Sequence, residues 1–140
     1  MARRETTITV DSWARRVEEK RAAAKAMLGN RRAFIETWHR SGEAAEYALK
    51  GYIHRRQFNG DWPTKAERKD LHTHDLRALF DLTGLDRTAM PPNTRAALMT
   101  VFGWDRDHAY TLDRLARAEA RAMYEAVFGP EGLVEWLRSH

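Results

Sequence analysis

Histidine and aspartate side chains cluster in one short stretch of this chain, where they could act as metal ligands. His72 and His74 lie two residues apart, and Asp70 and Asp75 flank them. Imidazole and carboxylate groups are ordinary ligands for zinc and manganese. However, none of the six histidines belongs to a His-x-x-x-His or His-Glu-x-x-His pattern, which would present two ligands on one helix face. We therefore predict no metal site and no cofactor.

Basic side chains suggest a second kind of chemistry, the binding of a polyanion. Residues 1–60 contain 13 Lys and Arg against 7 Asp and Glu, whereas residues 61–140 contain 11 against 13. Most of the basic residues are Arg, which can contact a phosphate through two parallel hydrogen bonds. The candidate nucleic-acid-binding residues, all on the second predicted helix, are Arg31, Arg32, Arg40, Lys50, Arg55 and Arg56.

These residues bind a phosphate backbone only if they share one surface. The first predicted helix carries five more basic residues between Arg15 and Lys25. If the basic faces of the two helices are adjacent, they form one positive strip whose binding to RNA weakens steeply with salt. The alternative is a solvated surface on which glutamates balance the charges.

Two further charged features have simple structural interpretations. Glu46 and Lys50 are four residues apart, a spacing that pairs opposite charges on one helix face, and we interpret them as a surface salt bridge. Thr73 is suited to cap the following helix, and Asp75 favours the positive end of that helix. On this interpretation, His74 is a packing or capping residue.

Length and composition limit the class of protein. The chain has 140 residues and no cysteine, which excludes disulfides, a cysteine nucleophile and thiolate zinc sites. A chain of this length favours one domain, and we expect a tail over residues 1–10 and a domain over 11–140. The basic start is not followed by an apolar segment, and nothing is long and apolar enough to span a bilayer. We expect a cytoplasmic protein.

Hydrophobic periodicity predicts helices throughout, because no segment alternates with the period of a strand. The predicted helices cover about residues 11–28, 31–57, 74–83, 93–102 and 111–128, with a short terminal helix that starts near Pro130. Asp11 or Ser12 is the predicted cap of the first helix. Gly42 marks either a close approach to another helix or a break in the second one. The predicted fold is all-α, a single-domain bundle of four to five main helices.

The five tryptophans divide into two groups. Trp13, Trp38 and Trp136 lie on apolar helix faces, where we expect core or dimer-interface positions. Trp62 and Trp104 lie in predicted loops, where either burial or stacking on nucleic-acid bases is compatible with the sequence.

Four stretches together resemble the HEPN family of small helical proteins associated with RNA or nucleotides. They are Glu-Ala-Ala-Glu-Tyr-Ala-Leu-Lys-Gly at 43–51, His-Asp-Leu at 74–76, the aromatic-bounded segment 104–110, and Val-Glu-Trp-Leu at 134–137. The match spans about residues 12–138. The resemblance implies a HEPN-like bundle, a homodimer, and a toxin or defence role beside a nucleotidyltransferase-like antitoxin partner.

Many HEPN proteins resemble metal-independent ribonucleases. Near the start of the final long helix they carry an Arg and a His separated by four to six residues, which would stabilise phosphate charge and transfer a proton. Here Arg106 and His108 are separated by a single residue, whereas Arg68 and His74 have five residues between them but precede the third helix.

This departure leaves three hypotheses open. The first is an RNA- or nucleotide-binding domain without the usual ribonuclease motif. The second is an endoribonuclease with a rearranged site that uses Arg106 and His108, with Arg68 and His74 as further candidates. The third is a bundle that only binds other proteins.

Overall fold

The computed structural model describes residues 8–30, 33–104 and 117–140. Within these ranges the chain is all-α, with two short 3-10 helices and no strand. The α-helices are α1 (Val10–Leu28), α2 (Phe34–Gln57), α3 (Leu76–Leu82), α4 (Pro92–Phe102), α5 (Arg117–Phe128) and α6 (Leu133–Arg138). They pack as a bundle, which confirms the predicted fold class. In the same ranges, none of the helices combines the length and apolar character needed to cross a membrane.

Helix α1 begins earlier than the sequence suggested. Its N-cap is Thr9, whose hydroxyl accepts a hydrogen bond from the Ser12 backbone N–H at 3.3 Å, while the Ser12 hydroxyl accepts one from the Thr9 N–H at 2.9 Å. This reciprocal arrangement satisfies two N–H groups that have no partner inside the helix. The predicted cap at Asp11 or Ser12 was therefore wrong. The prediction started the helix just before the first apolar residue of its buried face, and that residue lies one turn inside the helix.

Helix α2 is the centre of the bundle, since it packs against α1, α3, α5 and α6. Small buried residues on α1 and α2, among them Ala24, Ser41 and Ala45, let neighbouring backbones approach closely. At the contact with α1, the Thr37 hydroxyl donates to the Ala24 carbonyl at 3.1 Å. Because Thr37 is fully buried, this bond satisfies a hydroxyl that would otherwise be costly to remove from water.

Gly42 lies inside an unbroken α2, so the predicted alternative of two separate helices is wrong. The close approach predicted there is real, but the neighbour is the Trp104 side chain just after α4. Trp104 and Trp62 are both in loops, as expected, yet both are buried in the core. Neither indole is therefore exposed for stacking on a base.

The shorter helices start at other residues than predicted, α3 and α6 later and α4 one residue earlier. Helix α3 begins at Leu76 instead of His74, and α4 begins with Pro92 at its first position, where the missing N–H has no cost. Helix α6 begins at Leu133 instead of Pro130, because residues 129–132 form a turn closed by the Gly132 N–H and the Gly129 carbonyl at 2.9 Å. The predicted start of α5 near Thr111 lies outside the described residues.

Candidate functional site

A buried charge cluster joins α2 to the start of α3. The Lys50 Nζ donates to the Glu46 Oε2 at 3.1 Å, and the His74 Nδ1 donates to the Glu46 Oε1 at 2.6 Å. Glu46 and Lys50 are only 5% and 7% exposed, whereas the His74 side chain is 51% exposed. Both oxygens of one buried carboxylate are thus used, one by an ammonium and one by an imidazole at the surface.

The local sequence explains how His74 reaches Glu46. The Asp75 carboxylate caps α3 by accepting from the Ala78 N–H at 3.2 Å, and the Thr73 hydroxyl accepts from the Asp75 N–H at 3.1 Å. These two bonds fix the backbone on both sides of His74. Thr73 was predicted as the cap, but Asp75 holds that position. His74 lies just before the helix, directed at the buried face of α2.

The predicted pairing of Glu46 with Lys50 is confirmed, but its predicted surface location is wrong. An exposed pair stabilises a helix by a few tenths of a kcal/mol. A buried pair behaves differently, because each charge has lost its water and depends on its partner. Because the Glu46 carboxylate is also bonded to His74, it holds the His74 imidazole in one orientation. Such an arrangement is suited to proton transfer at the exposed edge of the ring.

Arg68, the arginine with the ribonuclease-like spacing to His74, is engaged elsewhere. Its Nε and Nη2 donate to the two Asp70 carboxylate oxygens at 2.9 and 2.8 Å, and its guanidinium lies 5.8 Å from the Phe58 ring centre. These bonds hold the pKa of Asp70 below its ordinary value and raise that of Arg68. The short loop thus forms a bidentate ion pair on the surface.

The clustered histidines have separate partners. The His72 Nε2 donates to the Pro63 carbonyl at 2.8 Å, whereas His74 is bound to Glu46. Over the described residues, no three His, Asp or Glu side chains are grouped closely enough to hold a metal ion.

Within the described part of α1 and α2, glutamates interrupt the predicted strip of candidate phosphate-binding residues. Arg40 contacts Glu36 at 3.4 Å and Glu43 at 2.9 Å, and Lys20 of α1 contacts Glu43 at 3.2 Å. Where α1 and α2 meet, basic side chains are therefore balanced by glutamates. Lys50 is buried against Glu46, and its ammonium does not reach the surface freely.

Arg55 and Arg56, in the last turn of α2, are the exposed members among the candidates that the structure describes. Their guanidinium groups lie 5.4 and 5.7 Å from the Tyr52 ring centre. Four of the predicted site residues lie outside the described part of the chain, namely Arg31, Arg32, Arg106 and His108. Their roles stay predictions.

His54 is a buried polar residue that its type and position in the sequence did not single out. His54 is 1% exposed and accepts a hydrogen bond at Nδ1 from the Trp13 indole N–H at 3.1 Å. Its Nε2 is 2.6 Å from the Gly60 carbonyl, to which it must donate. The two bonds require a neutral ring with its proton on Nε2. The available signal was its place on the buried face of α2, one residue after Ile53.

Comparison with known proteins yields no match to any family model, curated protein or solved structure.

Proposed function

We propose that this chain is a HEPN-like helical domain that associates with RNA or nucleotides and lacks the usual ribonuclease motif. The observation that carries the proposal is the contact of Glu46 with both Lys50 and His74. The two stretches that carry most of the resemblance, 43–51 and 74–76, meet in this one cluster. Their meeting supports the proposal, because residues of one family pattern that are distant in sequence are expected to share a structural task.

The surface for RNA in this proposal is the exposed end of α2. Arg55 and Arg56 have no carboxylate within 4 Å among the described residues, in contrast to Arg40. Guanidinium groups without acidic partners attract phosphates, and binding by them releases counterions from the nucleic acid. The sequence-based prediction also places Arg31 and Arg32 along the second helix.

A metal-independent endoribonuclease is the second candidate, and the bond between Glu46 and His74 favours it. A buried carboxylate fixes the ring of a half-exposed histidine, as a general acid or base requires. In this version His74 transfers a proton during attack of an RNA 2′-hydroxyl on the adjacent phosphate. Arg106 and His108 stay as further candidates for the same chemistry.

One experiment separates these candidates. Purified protein is mixed with a labelled single-stranded RNA in EDTA, and both gel retardation and cleavage products are measured. Retardation without cleavage supports the binding domain. Cleavage that disappears in His74→Gln supports the ribonuclease with His74, and cleavage lost only in His108→Ala assigns the chemistry to His108. If the protein neither retards nor cleaves the RNA, both proposals are contradicted, and a bundle that binds only other proteins is the remaining hypothesis.

A further inference from the structure

A small apolar cleft of about 100 Å³ opens between α1, α2 and α6. Its walls are aromatic and aliphatic, formed mainly by Trp13, Val17, Tyr47, Tyr52, Val134 and Leu137. Apolar cavities of about 150 Å³ can hold a benzene ring. This cleft is smaller but open to solvent, so its size matches one ring or a short branched chain only if the far end of that group stays in water.

Arg55 lines the cleft, and Arg16 packs against the rings of two residues that form its walls. The Arg16 guanidinium is 5.1 Å from the Trp13 ring centre and 5.6 Å from that of Tyr47. Arg55 lines the cleft, and its Nη2 donates to the Leu137 carbonyl at 3.2 Å. This bond uses one of the five N–H donors of Arg55 and ties α2 to the end of α6.

The charges at this edge are unbalanced. Among the described residues, neither Arg16 nor Arg55 has a carboxylate within 4 Å. Arg138, which also lines the cleft, differs, because it contacts Glu18 at 2.7 Å and Glu135 at 3.1 Å. Arg55 therefore borders the cleft and Arg16 packs against two of its wall residues, and neither guanidinium is paired with a carboxylate of the described residues.

We propose that this cleft binds a small amphiphilic anion, a single ring or short branched chain attached to one carboxylate or phosphate. The apolar part displaces water from the walls, and burial of apolar surface supplies the affinity. The anionic group contacts Arg55 and Arg16, whose planar guanidinium groups match both carboxylate and phosphate oxygens. The cleft is separate from the cluster of Glu46, Lys50 and His74, and the proposal does not depend on RNA binding.

Methyl NMR on the full chain tests this with four probes: benzoate, phenyl phosphate, phenol and inorganic phosphate. We expect benzoate or phenyl phosphate to shift the Val134 and Leu137 methyl signals saturably, and the tighter of the two identifies the preferred anion. Phenol lacks the anionic group and inorganic phosphate lacks the apolar ring. Each should therefore bind about tenfold more weakly or not at all. Equal binding of phenol and benzoate, or no saturable shift with either anion, overturns the proposal.

Two variants connect the shifts to the cleft. Arg55→Gln should weaken benzoate binding about tenfold, because it removes one charge-assisted contact. Ala48→Leu places a larger side chain in the cleft and should abolish the shifts, whereas Ala122→Leu, on the exposed face of α5, should leave them unchanged. Thermal melting establishes whether each variant is folded. If Arg55→Gln is not folded, benzoate binding is measured with Arg16→Gln in its place. Unchanged binding in both Arg55→Gln and Arg16→Gln contradicts the site.

Discussion

The indole of Trp104 occupies the space beside Gly42 in which any other residue would place its Cβ. Trp104 follows α4, and its ring also packs 5.9 Å from that of Trp38. Gly42 therefore stays in the middle of a long helix, despite a propensity cost of about 1 kcal/mol relative to alanine, because a large aromatic side chain fills the place left by its missing Cβ.

Gly42→Ala should lower the free energy of unfolding by about 1–3 kcal/mol, since the added methyl group displaces Trp104 from a packed core. Urea denaturation followed by circular dichroism measures the change. Gly29→Ala is the matched control, because its Cβ would meet no atom within 4 Å beyond the residues adjacent in the chain, and it should not destabilise the protein. A Gly42→Ala variant as stable as the wild type would show that the indole can move without cost.

Glu46→Ala should destabilise the protein by about 3–5 kcal/mol, because it leaves the Lys50 ammonium buried without its partner. The double variant Glu46→Leu, Lys50→Met should recover much of this loss, since it removes both charges and keeps the volume. Arg68→Ala, which breaks an exposed ion pair, serves as the control with little change. If the double variant is no more stable than Glu46→Ala, the buried charge is not the cause.

His54→Leu should lower the free energy of unfolding by about 1–3 kcal/mol or more, because the Trp13 N–H and the Gly60 carbonyl both lose their partner. His72→Leu breaks one bond at an exposed side chain and should cost less. Nitrogen-15 NMR of the wild type should show the ring of His54 protonated on Nε2 only. A proton on Nδ1 would contradict the proposed hydrogen bonds.

Asp70 should titrate below its ordinary pKa, because Arg68 donates two hydrogen bonds to its carboxylate. A depressed pKa in the folded state means that this contribution to stability is present above the unfolded pKa and is lost as the pH falls through the folded one. Carbon-13 NMR of the Asp70 carboxyl group measures it directly. Arg68→Ala should raise the pKa of Asp70 towards its ordinary value, whereas the pKa of Asp86, lowered by bonds from Thr88, should not change.

The Arg55→Gln, Arg56→Gln double variant should weaken RNA binding. It should also reduce the slope of log affinity against log salt by the amount that corresponds to about two phosphate contacts. Gel retardation over a series of salt concentrations gives the slope. Arg87→Gln, Arg121→Gln removes the same charge from exposed positions elsewhere and should preserve the slope. Equal losses in the two double variants would mean that net charge alone attracts the RNA.

The helices and their buried faces followed from the sequence, because apolar residues three and four positions apart define one helix face within a single turn. Trp13, Trp38 and Trp136 were placed on such faces from local spacing, and all are buried. The Glu46 and Lys50 pairing was predictable for the same reason.

Only the tertiary structure decided which polar groups are buried. Glu46 meets His74 across 28 positions and His54 meets Trp13 across 41, distances at which helical periodicity gives no information. Trp62 and Trp104 lie in loops, where no periodicity indicates whether a side chain points inward. Burial depends on which distant segment covers a residue, and that is set by the packing of the whole bundle.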